Sequence, residues 1–167
     1  MGCLGVHFAL NAEEVAHLLS LDDERARLEH LEEVIETTYF EQCPELIAES
    51  DKSWDAMHRL LADGQLSWDG GDYPLNHTVL AGKLLYTKSD YIMSLKNPQQ
   101  VRDIAAALAG IDEAEFRQRY FAIDAKSYPS PLSEEDFRYT WDWFQGVRDL
   151  YARAAKEDRF VMFTADQ

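Results

Sequence analysis

His58 and His77, together with Asp69 and Asp72, are the residues of this 167-residue chain whose types suit acid–base chemistry or a metal. Residues 51–61 read DKSWDAMHRLL, and with Ser50 or Asp51 as N-cap the spacing puts Trp54, Met57, His58 and Leu61 on one face of a helix. The loop WDGGDYPLNH, residues 68–77, gathers Trp68, Asp69, Asp72, Tyr73 and His77 around two glycines. A pocket between that helix and this loop would use His58 or His77 as acid or base. Asp69 or Asp72 would orient the imidazole or ligate a cation, with Trp68 and Tyr73 as its walls. Asp51 cannot serve His58 directly, because seven residues of helix separate them by roughly 10 Å of rise.

A second reading needs no chemistry. A histidine sharing a face with tryptophan and leucine is a core histidine satisfied by one hydrogen bond. Asp and Gly in a loop serve turn geometry, and Asp55 with Arg59 forms an i,i+4 surface pair. The chain has no HExxH helix, no GxSxG elbow and no Walker loop, and acids flank the glycines of DGGD where a phosphate would be repelled. No cofactor and no dedicated metal site are expected.

Charge is the feature that departs furthest from what stability requires. Thirty-one acids oppose sixteen Lys plus Arg, a net charge of −15, which argues against nucleic acid or an anionic membrane as partner. Residues 1–80 hold 17 of the acids and only 4 of the bases. Within the helix expected over 22–40, Asp22, Asp23 and Glu24 complement the positive helix terminus. Glu29–Glu33 and Glu32–Glu36 are like-charge i,i+4 pairs, each costing about 0.2–0.5 kcal/mol. Solubility explains net charge. Uncompensated repulsion along Glu29, Glu32, Glu33 and Glu36 suggests a docking face for a basic protein partner.

These residues must be held by a fold of one domain, residues 1–167. The length suits a single core, and two cysteines without a CxxC pair imply reduced thiols and a cytoplasmic protein. No apolar run reaches a membrane span. The start MGCLGV hints at myristoylation of Gly2, but Val6 stands where that motif wants Ser or Thr. Strands are expected at 3–10, 65–68, 83–87, 91–95 and 159–164. Helices are expected after Asn11, over 22–40, from the opening stretch to Gly64, over 75–82, and after Asn97, Asp112 and Ser133. Asn11 with Glu14 and Asn97 with Gln100 are capping-box patterns. The alternation implies an α/β or mixed sheet covered by helices.

The segments GVHFAL, DKSWDAMHRLL, PLNHTVLAG and NPQQVRDIAAAL and the aromatic C-terminal helix together resemble the YfbM-like bacterial family over essentially the whole chain. That resemblance implies a three-layer α/β sandwich and places Asp51, Lys52, Trp54 and His58 in the family's signature. It implies no reaction.

Overall fold

The computed structural model describes residues 3–167, so Gly2 lies outside the described residues. Strand β1 (Gly5–Leu10) leads into α1 (Ala12–Ser20). There the Asn11 side chain accepts from the Glu14 amide at 2.8 Å while Glu14 accepts from the Asn11 amide at 2.9 Å. A helical rod follows: α2 (Glu24–His30), a π-helical stretch (Leu31–Glu36) and α3 (Thr37–Gln42). Its buried stripe is Leu28, Leu31, Ile35 and Tyr39.

After β2 (Ile47–Asp51), α4 (Trp54–Leu61) begins later than the sequence suggests. Ser50 and Asp51 are strand residues, Asp51 pairing with Gly5 of β1, so neither is the helix N-cap. The chain turns through a Ser53 amide bond to the Ser50 carbonyl at 2.9 Å, with Asp51 in the left-handed region at φ 46°. Residues 65–68 form no strand, because no neighbouring strand pairs with them. The expected helix over 75–82 shrinks to one 3₁₀ turn at Leu75–His77. Strands β3 (Lys83–Tyr86) and β4 (Tyr91–Lys96) precede α5 (Pro98–Ala109), α6 (Glu113–Phe121), α7 (Glu134–Lys156) and β5 (Phe160–Asp166).

The strands form one sheet in the order β2-β1-β5-β4-β3. Every neighbouring pair is antiparallel, so the sheet is not mixed. The last strand inserts between the first and the fourth, and closing the sheet therefore ties the chain ends together. Side chains alternate across the sheet. Phe8 meets Tyr39 and Phe40 at ring separations of 5.8 and 6.1 Å on the α1–α3 side. Phe163 meets Trp54 at 5.6 Å, and His7 meets Tyr151 of α7 at 5.8 Å, on the opposite side. Helices thus cover both faces, giving three layers. The exposed edge of β3 is closed by α2, whose Arg27 donates to the Leu85 carbonyl and whose Glu24 accepts from the Thr87 amide, which blunts a pairing-prone edge.

Candidate functional site

The structure does not bring His58, His77, Asp69 and Asp72 together. His58 is fully buried, and its Nε2 lies 2.8 Å from the Ser67 carbonyl oxygen. Donating to that oxygen makes Nε2 the protonated nitrogen and leaves Nδ1 bare, with no partner among the described residues. Burial pushes the His58 pKa down to about 4. His77 is half-buried, with Nδ1 2.7 Å from Asn76 Oδ1 and its ring edge-on to Tyr73 at 4.9 Å. Burial, followed by the charge of Lys96, lowers its pKa. Asp69 and Asp72 are exposed, and neither forms a hydrogen bond to a histidine. Trp68 and Tyr73 are exposed as well, and Tyr73 donates to Asp103 of α5. Among the described residues no three His, Cys, Asp or Glu side chains are grouped to hold a metal. Asp55 and Arg59 are not a surface pair: Arg59 is buried, its Nε 2.5 Å from Asp55 and its Nη1 2.9 Å from Ser127 Oγ.

The polar residues that sequence reasoning missed lie under the irregular segment 78–81. A buried segment outside regular structure must have its carbonyls satisfied by side chains. His7 Nε2 donates to the Thr78 oxygen at 2.8 Å, and the Tyr151 hydroxyl donates to the same oxygen at 2.7 Å. Lys96 Nζ donates to the Val79 oxygen and to Ser94 Oγ, and Ser94 Oγ donates to the Leu80 oxygen at 2.7 Å. Lys96 has no exposed surface, and burial drives its pKa well below the usual lysine value. Its hydrogens are committed to these acceptors, so it acts as a fastener rather than a nucleophile. The one signal available was parity: Ser94 and Lys96 share a face of a strand whose two faces are both covered. The PLNHTVLAG segment is thereby accounted for as architecture.

On the α1–α3 side the acidic run opens onto a groove of about 300 Å³. Glu32 and Glu36 come from the π-helical stretch, Glu49 from β2 and Asp166 from β5. Leu4 and Phe40 form an exposed apolar rim. Tyr91 donates to Glu36 Oε1 at 2.9 Å. Burial raises the Glu36 pKa, and the charges of Glu32 and Asp166 add to this against the Tyr91 hydrogen bond. No Lys or Arg lines the groove, and none pairs with its four carboxylates among the described residues. Glu29 and Glu33 are exposed outside it, and Glu29 has an exposed partner, Arg25, at 3.9 Å. The π-helical turn is itself notable, since such turns occur disproportionately at functional sites. Glu49 and Asp166 were invisible to the sequence reading because strand pairing alone carries them to the groove.

The sequence matches the family described as a domain of unknown function, DUF1877, over residues 1–164. No curated protein matches the chain. Among solved structures the chain is similar to YfbM from Escherichia coli, a protein of unknown function. That similarity has a TM-score of 0.70 at 20% identity and covers 97% of this chain and 99% of the other. It establishes a shared three-layer fold.

Proposed function

This chain belongs to the DUF1877 family of unknown function, and we propose that it docks a basic protein partner through the acidic groove of its N-terminal half. One observation carries the reading: Glu32, Glu36, Glu49 and Asp166 converge beside the exposed Leu4 and Phe40, and among the described residues no Lys or Arg pairs with them. A lysine or arginine side chain fits such a place, its stem against the apolar rim and its charge among the carboxylates. The net charge of −15 adds long-range attraction that speeds encounter. Both described cysteines are free thiols, in keeping with the cytoplasm as the setting, and no described helix is long and apolar enough to cross a membrane.

The test replaces Glu32, Glu36 and Glu49 with Gln and Asp166 with Asn, then compares capture by the wild-type and quadruple variant chains. The expected result is a basic protein retained by wild type, lost from the variant, and released by added salt. An identical set of captured proteins refutes the proposal.

A further inference from the structure

A second concavity opens on the sheet face opposite the acidic groove, where α4 begins. It encloses about 570 Å³ between Trp54, Leu66 and Tyr128, a volume typical of small-molecule sites. Both rings turn apolar surface to it because their polar atoms are engaged elsewhere. The Trp54 indole N–H donates to the Cys3 carbonyl at 2.8 Å, and the Tyr128 hydroxyl donates to Asp136 Oδ2 at 2.8 Å.

Asp136, the third residue of α7, lines the same cleft and is half-buried. Its Oδ2 also accepts from the Tyr120 hydroxyl at 2.6 Å, so two tyrosines hold the carboxylate in place. The positive end of the α7 dipole steadies that charge but does not engage the other oxygen. Among the described residues Oδ1 receives no hydrogen bond, and no Lys or Arg pairs with Asp136. Asp55 also lines the cleft, with Oδ1 bound to Arg59 and Oδ2 without a donor among the described residues. Lys52, exposed, also lines the cleft.

We propose that this cleft binds a small molecule carrying a protonated amine on a ring-sized apolar body. The ring lies against Trp54, Tyr128 and Leu66, and the ammonium donates to Oδ1 of Asp136 with Asp55 as second acceptor. Because the tyrosines already fix the carboxylate, binding loses little side-chain freedom on the protein. The cleft and the acidic groove share no lining residue.

Phenethylamine is a suitable probe, with phenylacetate as its charge-reversed control, each titrated into the full chain by heteronuclear NMR to about 10 mM, where even a weak site is populated. Phenethylamine should shift the Trp54 indole and the Leu66 and Tyr128 resonances, and phenylacetate should not. Asp136→Asn should weaken binding about tenfold or more, the loss expected when a charge-assisted bond becomes neutral. Leu66→Arg, which leaves the Tyr120–Asp136–Tyr128 bonds intact, should abolish it by placing a cation at the mouth. Absence of shifts in the cleft, equal binding of phenylacetate, or undiminished binding by Leu66→Arg overturns the proposal.

Discussion

Acid should unfold this protein through two histidines. His7 and His58 are both fully buried and each uses Nε2 to hold a loop carbonyl, Thr78 for His7 and Ser67 for His58. Burial, with Lys96 adding its charge at His7, pushes the His7 pKa down to about 3, and burial pushes His58 down to about 4, from an ordinary value of 6.5. Both folded-state pKa values are depressed, so below pH 6.5 the unfolded chain takes up protons that the native chain refuses. Stability present above pH 6.5 is therefore lost as pH falls, through about 4 for His58 and about 3 for His7. At about 1.4 kcal/mol per pKa unit, the full loss is on the order of 3 kcal/mol for His58 and 5 kcal/mol for His7. Together these rival the roughly 5–15 kcal/mol that holds a domain folded. The assay is urea unfolding followed by circular dichroism between pH 8 and pH 5, above the range where most carboxylates titrate. Below pH 6.5 the two histidines should add up to about 2.7 kcal/mol of loss per pH unit to the slope that buried Lys96 already contributes, His58→Gln should remove about half of that increment, and the double variant with His7→Gln should keep only the Lys96 slope. A slope identical in wild type and the double variant refutes the reasoning, because the acidic surface contributes equally to both.

Three further outcomes follow from particular contacts. Gly5→Ala should destabilise by about 1–3 kcal/mol in thermal or urea unfolding, since a Cβ there would meet Ser50 Oγ at 2.6 Å and Trp54 Cδ1 at 2.7 Å. A neutral result would mean that the sheet and α4 can move apart at no cost. Ser94→Ala should cost about 1–3 kcal/mol by leaving the buried Leu80 carbonyl without its donor and removing an acceptor from Lys96. Unchanged stability would contradict the fastening role given to that network. Glu36 should titrate above ordinary glutamates by carboxyl carbon NMR, and Tyr91→Phe should move it higher by removing the hydrogen bond that favours the charged form. A fall in the Tyr91→Phe variant would contradict the groove geometry.

Elements whose ends are written locally were legible in the sequence. The capping boxes at Asn11 and Asn97, and Asp112 and Ser133 as N-caps, begin their helices as the spacing predicts. Trp54, Met57, His58 and Leu61 share a buried face as their spacing indicates. What depends on a distant partner was not legible. Ser50 reads as a cap until β1 takes it into the sheet, and residues 65–68 read as a strand until no neighbour offers them an edge. The π-helical turn has no sequence signature, yet it supplies Glu32 and Glu36 to the groove. The repulsive run lies on the side of the molecule where the groove opens. Glu49 and Asp166 reach it only because β2 and β5 flank β1 in the sheet order. The burial of Lys96 was not legible for the same reason: it depends on helices covering both faces of its strand.

The proposed docking makes the groove, rather than diffuse negative charge, the element that recognises a basic side chain. Titrating the full chain with a short tetra-arginine peptide, followed residue by residue by NMR, tests it most directly. Recognition by the groove should concentrate the shifts at Glu32, Glu36, Phe40, Glu49, Thr164 and Asp166, and the quadruple groove variant should lose them. Shifts spread evenly over exposed acids such as Glu13, Glu33 and Glu41, with affinity unchanged in that variant, would contradict it.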